Sequence, residues 1–402
     1  MLKATGVVVE YNPFHNGHYY HLQETKKVTD ADCVIAVMSG NFLQRGEPAL
    51  LSKWSRSKMA LLGGADLVIE LPYAFATSHA PRFAFGSIFL LQAVGAQSFC
   101  FGSESGDIGI FNETYDALSN QNEAYQAHVR DFMNQGLSYP SATSKAYELL
   151  ETPHLLDLSR PNNILGFEYI RSSRELGSKL KPLTIKRKNA DYHDMMLGKG
   201  DIASATAIRE AVFSEDLSKA ESYMPSYTYN ILAQKQQENG TLLNWERFYP
   251  LLRYQLLSSS PSDLNSYYEV EEGLEYRMID AMKKSNSFYS FMTLLKTKRY
   301  TWTRLQRACL HVLNKIRKDD MFGILENPPA YIRVLGMTET GKQYLGTVKK
   351  SLDLPLVTTV SKYDFAGLKM EAKTSLVYAQ GFGKNRQEAE KEEFNTPPVM
   401  VK

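Results

Sequence analysis

Val7-Val8-Val9-Glu10-Tyr11-Asn12-Pro13-Phe14-His15-Asn16-Gly17-His18 is the stretch on which the reading of this chain turns. A β-branched, apolar run fit for a buried strand stops at a proline-containing turn and delivers His-x-Gly-His to the start of a helix. The first amides of a helix have no intrahelical partner and the macrodipole is positive there, so such a junction suits the phosphates of a nucleoside triphosphate. Gly17 removes a side chain where a ligand must approach the backbone. His15 and His18 stand three apart, share one helix face, and can donate to phosphate oxygens as charge develops on a departing pyrophosphate. A plain strand–turn–helix with surface histidines would leave the same trace, so the rest of the chain has to decide.

The rhythm set by that stretch continues. Apolar runs at residues 6–11, 33–38, 67–71 and 98–101 read as strands, with 183–187 as a fifth. Helical patterns fill 18–28, 53–62 and 83–94, with Ser52 as an N-cap and Gly63-Gly64 as a stop. Continuous apolar strands joined by helices predict an α/β, Rossmann-like parallel sheet covered on both faces. Ligands of such sheets sit beyond the carboxyl ends of the strands, where His15, Ser39-Gly40, Pro72 and Gly102-Ser103 all fall.

Residues 108–150 are polar and helical in pattern and read as an insertion. Pro161 and Asn162 open another helix. A loop carrying Lys188, Asn189, Asp191, Tyr192 and His193 then leads to Ser204-Ala205-Thr206-Ala207-Ile208-Arg209. The expected division is an α/β catalytic domain over 1–214, a helical, basic domain over 215–328, and a small C-terminal α/β segment over 329–402. Its strand–helix–strand pattern runs from Tyr331 to Val360, and the Lys/Glu-rich end from Gly381 reads as a frayed helix or tail.

Composition narrows the class. A chain of 402 residues is too long for one ordinary core, and 43% hydrophobic with 22% charged residues is a soluble, globular balance. A net charge of +2 confines any nucleic-acid surface to a local patch. Cys33, Cys100 and Cys309 are odd in number and lack C-x-x-C spacing, which argues against a zinc site or a disulfide framework. No leader-like start and no bilayer-length apolar run is visible, so a cytoplasmic location is expected.

Two further constellations carry chemistry. Ser204 and Thr206 precede a helix bearing Arg209; hydroxyls at an N-cap satisfy free amides, and the same groups can hold a phosphate against the arginine. From Lys283 to Lys318 there is no acid, while ten Lys and Arg occur, interleaved with Tyr300 and Trp302. That pattern favours a phosphate-backbone surface through Lys296, Lys298, Arg299, Tyr300, Arg304 and Arg307, with aromatics to stack on splayed bases, over a solvated charged face. Arg45, within Gln44-Arg45-Gly46-Glu47, is near enough to help hold an anion. Lys53, Arg56 and Lys58 read as a solvent face, and His79, His128, His154 and His311 as structural.

Taken together, the chain resembles the HIGH-type nucleotidyltransferase superfamily. His15-Asn16-Gly17-His18 is similar to its first signature, and Ser204 to Arg209 is similar to its second, departing at Ala205 where a serine is usual. Residues 38–48 (Met-Ser-Gly-Asn-Phe-Leu-Gln-Arg-Gly-Glu-Pro), 101–104 (Phe-Gly-Ser-Glu), 160–166 (Arg-Pro-Asn-Asn-Ile-Leu-Gly) and 298–301 (Lys-Arg-Tyr-Thr) narrow the resemblance to the bacterial tRNA(Met) cytidine acetate ligase family. The resemblance implies ATP-dependent activation of acetate and formation of N4-acetylcytidine at the wobble position of elongator tRNA(Met). It implies ATP contacts from Val8, Val9, Glu10, Tyr11, Asn12, Pro13, Phe14, His15, Asn16, Gly17, His18, Tyr19, Tyr20 and His21. Gly102, one of Asn162 and Asn163, and Arg187 join them. His15, His18, Ser204, Thr206 and Arg209 would act on the phosphates, with Mg²⁺ bridging phosphate oxygens and no metal ligands of the chain's own. The alternatives are a small-molecule adenylyltransferase and a non-catalytic RNA-binding protein.

Overall fold

The computed structural model describes residues 2–149, 156–187, 201–214 and 217–402. Strands β1 (Ala4–Val9), β2 (Cys33–Ser39), β3 (Leu67–Leu71), β4 (Ser98–Ser103) and β5 (Lys181–Lys186) form the expected parallel sheet, in the order β5-β4-β1-β2-β3. Every residue of β2 and β3 is buried, as continuous apolar runs require when both faces are covered. Parallel neighbours need crossovers, and helices Asn16–Thr29, Lys53–Leu62 and Ala80–Ala93 supply them.

The two-residue period of the strands divides the core. Cys33, Ile35, Val37, Leu67 and Ile69 face one layer with Phe83, Ile88 and Leu91, whereas Val34, Ala36, Met38 and Val68 face the other with Trp54, Met59 and Ile208. From β1 the chain first builds outward through β2 and β3, then returns to place β4 and β5 on the other side. The connections therefore diverge between β1 and β4, which opens a crevice at their carboxyl ends.

The segment from residue 329 extends this sheet. β6 (Ile332–Met337) pairs antiparallel with β3, and both β7 (Leu356–Val357) and β8 (Val399–Met400) pair parallel with β6. The strand expected to end at Val360 is shortened, because Val360–Lys362 turns into a 3-10 helix. The insertion forms helices Ile108–Asn120, Asn122–Asn134 and Tyr139–Glu148. Helices from Ser226–Asn239 through Lys318–Leu325 make up the region between. All three cysteines are buried and free, and no helix among the described residues is long and apolar enough to cross a membrane.

Two expectations are corrected here. The end of the chain is a helix, Arg386–Asn395, as one of the two readings had it, but it is packed and not frayed: it drives Glu393 into the core, where the carboxylate lies 2.6 Å from the Lys53 ammonium. Lys53 also pairs with Glu70 at 2.7 Å, and Glu393 lies 3.7 Å from Arg333. Lys53 and Arg56 are thus interior, with Lys53 fully buried, while Lys58 alone of the three faces solvent. Burial opposes the lysine charge, yet Glu393, Glu70 and Glu371 together hold its pKa above the ordinary value. Arg56 donates to the carbonyls of Glu10, Ser39 and Gly40, tying the second-strand turn to the end of β1.

Candidate active site

Beyond β1 the chain turns through Tyr11, in the left-handed region at φ 51°, and His15 becomes the N-cap of helix Asn16–Thr29. Its Nδ1 accepts from the Gly17 amide at 3.1 Å, and the His18 Nδ1 accepts from the His15 amide at 3.3 Å. This is a reciprocal capping box built from imidazoles instead of a hydroxyl and a carboxylate. A ring nitrogen that accepts carries no hydrogen, so the capping bond assigns the His15 hydrogen to Nε2 and leaves that edge as a donor. The two rings stack with centroids 3.6 Å apart. A Cβ on Gly17 would stand 2.9 Å from His15 Cε1, closer than real side chains allow, so glycine is what lets the ring lie against the helix start.

These imidazoles are neutral near pH 7. Burial first, then the charges of Arg187 and Arg209, push His15 down to about 3. Burial, then His15 and Arg187, pushes His18 well below its usual range, and burial with Arg187 pushes His21 down to about 4. A histidine whose folded pKa is depressed binds its proton more readily when unfolded, so stability falls as pH falls below the ordinary 6.5. The urea midpoint of the ligand-free protein is expected to drop steadily from pH 6.5 toward pH 4. Replacing His21 with a non-titrating residue should flatten that limb; an unchanged slope would count against this account.

The second junction meets the first. Ser204 Oγ caps helix Ala205–Ser214 by accepting from the Ala207 amide at 3.0 Å. Arg209 reaches across the crevice: Nη1 donates to the Asn12 carbonyl at 2.9 Å and Nη2 to Thr206 Oγ1 at 3.4 Å, with Glu47 at 3.3 Å. Asn16 donates to the carbonyls of Asp201 and Ser222, pinning the two helix starts side by side.

Between them lies a cavity of about 300 Å³. Of the residues expected from the sequence, Val8, Val9, Glu10, Tyr11, Asn12, His15, Gly17, His18, Tyr20, His21, Gly102, Asn162, Arg187, Ser204, Thr206 and Arg209 all line it. Pro13, Phe14, Asn16 and Tyr19 do not: Phe14 is buried in the core and Tyr19 points to solvent. The asparagine pair divides its work. Asn162 faces the cavity, while buried Asn163 accepts from the Glu104 and Ser105 amides and donates to the Asp157 carbonyl, shaping the loop. Arg45 and Glu47 line the cavity as well. Sequence reasoning missed the apolar wall of Phe83, Phe101, Leu165, Tyr169 and Ile185. Its members look like ordinary core positions, and only the strand order shows that they border the crevice. Lys188, Asn189, Asp191, Tyr192, His193 and His154 lie outside the described residues.

The basic stretch is less one-sided in three dimensions. Glu269, Glu271 and Glu272, from just before it, fold back onto it: Arg307 pairs with Glu269 at 2.9 Å, Arg304 with Glu271 at 3.3 Å, and Arg299 with Glu272 at 2.8 Å. Arg307 and Tyr300 are buried, and the Tyr300 hydroxyl donates to Glu272 at 2.6 Å, so neither presents the face expected of it. Lys296, Lys298 and Arg299 remain exposed. The aromatic that does face solvent is Tyr289, 71% exposed, its ring centroid 6.0 Å from that of Trp302. Trp302 Nε1 donates to Gln306 at 2.7 Å, and Gln306 donates to the Arg45 carbonyl at 2.9 Å, a short relay from this surface to the cavity loop.

The family described as HIGH Nucleotidyl Transferase matches residues 2–393 of the chain. A protein of Halalkalibacterium halodurans named tRNA(Met) cytidine acetate ligase is 46% identical, over 100% of this chain and 98% of its own. The Bacillus subtilis (strain 168) protein of the same name is 44% identical, over 99% and 97%. Crystal structures of Thermotoga maritima TmcAL match at TM-scores of 0.92 (apo) and 0.90 (bound with alpha-thio ATP), each at 32% identity and covering 100% of both chains.

Proposed function

The chain belongs to the HIGH nucleotidyl transferase family, and from that premise we propose that it is an ATP-dependent tRNA cytidine acetate ligase. It activates acetate as acetyl-adenylate and transfers the acetyl group to N4 of the wobble cytidine of elongator tRNA(Met). The observation that carries this reading is the Arg209–Asn12 contact, which closes two capped helix starts around one cavity.

Acetate attacks the α-phosphorus of ATP and pyrophosphate leaves. The protein forms no covalent bond, so its contribution is positioning and charge stabilisation. His15, through Nε2–H, and His18 face the reacting phosphate, while Ser204, Thr206 and Arg209 hold the departing pyrophosphate. Because the imidazoles enter neutral and buried, their donor bonds strengthen as the phosphate oxygens gain charge. The apolar wall suits the uncharged parts of the substrates, a purine ring or the acetyl methyl. Mg²⁺ would accompany the phosphates that Ser204, Thr206 and Arg209 are proposed to hold. It would add charge neutralisation there.

Lys296, Lys298 and Tyr289, joined to the cavity loop by Trp302 and Gln306, are proposed to receive the anticodon loop, whose wobble base leaves its stack cheaply. Lys298→Ala should weaken tRNA binding and lower the slope of log affinity against log salt by about one unit, with ATP binding spared. An unchanged slope would remove Lys298 from the interface.

The decisive experiment incubates tRNA with the protein, ATP and labelled acetate, followed by mass spectrometry of the nucleosides. Labelled N4-acetylcytidine is the expected product. Release of a stable dinucleotide from ATP without RNA would instead mark a small-molecule adenylyltransferase.

A further inference from the structure

The cavity holds a carboxylate beside the groups assigned above to the phosphates. Glu10 stands at the carboxyl end of β1, its Oε1 accepting from the Gln44 amide at 2.7 Å and the Ser39 hydroxyl at 3.3 Å. Its own carbonyl accepts from buried Arg56 at 2.6 Å. Backbone and side chain are both braced, and the residue lines the same cavity as His15, His18 and Arg209.

Acetyl transfer needs a proton acceptor there. The lone pair on the exocyclic N4 of cytidine is delocalised into the ring, so the amine is a poor nucleophile, and the amide product carries one N4 hydrogen fewer. Among the described residues lining the cavity, the carboxylates are Glu10 and Glu47. Glu47 is held by the Arg209 guanidinium at 3.3 Å, which leaves its charge already engaged. His15 spends Nδ1 on its helix cap, and burial pushes its pKa down to about 3, which makes it a weak base.

Resting on the function proposed above, we propose that the Glu10 carboxylate accepts the N4 proton as cytidine attacks the acetyl carbonyl. The N4–C bond forms and the acetyl C–O bond to the α-phosphate breaks, its electron pair leaving with AMP. The proton moves from N4 to Glu10 and then to solvent. The surroundings suit the role. Burial raises the carboxyl above its ordinary 4.5 against the lowering influence of the Gln44 amide, Arg45 and Arg56, and Glu47 raises it further. Tyr169, from helix Pro161–Glu175, faces it from the apolar wall. A base lifted toward the working pH transfers protons more effectively, and general bases of this kind contribute about 10²–10⁴-fold.

Glu10→Gln tests this, because the amide oxygen still accepts from Gln44 while the basicity is gone. Two rates are compared: ATP–pyrophosphate exchange with acetate, and acetyl transfer to tRNA from added acetyl-adenylate. The expected signature is a split, with transfer down about 10²-fold or more and exchange reduced far less. The wild-type transfer rate should fall on an acid limb that the variant lacks. Equal loss in both rates, or transfer kept with the acid limb intact, overturns the assignment. A wild-type transfer rate flat from neutrality down to about pH 4.5 overturns it as well, even if the variant does not fold, because a carboxyl raised above its ordinary value is already losing its charge there. If wild-type protein neither exchanges pyrophosphate nor acetylates tRNA, it is the ligase reading that fails, a different result from a missing split.

Discussion

His15→Ala is expected to lower acetyl-adenylate formation by about 10²–10³-fold, the usual cost of deleting one preorganised donor at a developing oxyanion. The single-site change removes two things at once. One is the Nε2–H donor; the other is the cap on the Gly17 amide, worth about 0.5–2 kcal/mol of stability. His15→Asn separates them, because asparagine caps a helix well but its shorter side chain does not extend a donor to the same place. The alanine variant should therefore lose both rate and thermal stability, and the asparagine variant mainly rate. tRNA affinity should be unaffected in both, since the exposed lysines are untouched. Pyrophosphate exchange with labelled acetate reads the rate directly; exchange within about threefold of wild type in either variant would be far short of one donor's worth and would remove His15 from catalysis.

The second large effect is structural. Lys53→Met is expected to cost about 3–5 kcal/mol, because it leaves buried carboxylates without their cation. That is a large share of the roughly 5–15 kcal/mol that a protein has in all. Glu70 and Glu371 already have pKa values raised above the carboxylate norm, with burial the largest cause, whereas Glu393 is kept low chiefly by Lys53 against its own burial. Losing the ammonium should release Glu393 first, and with it helix Arg386–Asn395. The double variant Lys53→Met/Glu393→Gln should recover part of the loss, a coupling that urea denaturation of the four-member cycle measures. A single-variant cost below about 1 kcal/mol would mean that the pair is not buried as described.

Strands were legible because their apolar runs are bounded by turn chemistry; residues 67–71 were read to the residue, and others within two or three. Both helix starts of the cavity were legible for the same local reason. What failed was long-range. Glu393 gives no local sign that it belongs beside Lys53, so in sequence the helix at Lys53 reads as a solvent face and the end of the chain as a frayed helix or tail. The acid-free run from Lys283 to Lys318 looks one-sided by its own composition, while its neutralising glutamates precede it and return through folding. In sequence Tyr300 stands out as a base-stacking aromatic because it sits among charges, and Tyr289 carries no such flag. Exposure, which only packing decides, reverses that choice. The capping role of the histidines was hidden because His-x-x-His does not carry the hydroxyl and carboxylate by which such boxes are usually spotted.

The guanidinium of Arg209 is already engaged before any nucleotide arrives, by a backbone carbonyl and by Glu47. A visiting anion must out-compete both. Orthophosphate offers one small cluster of oxygens and gains little by intruding, whereas a triphosphate spanning both helix starts compensates with many simultaneous contacts. On the function proposed above, the resting molecule is expected to discriminate by valency, staying deaf to the small anions that crowd a cell and answering to a polyphosphate chain.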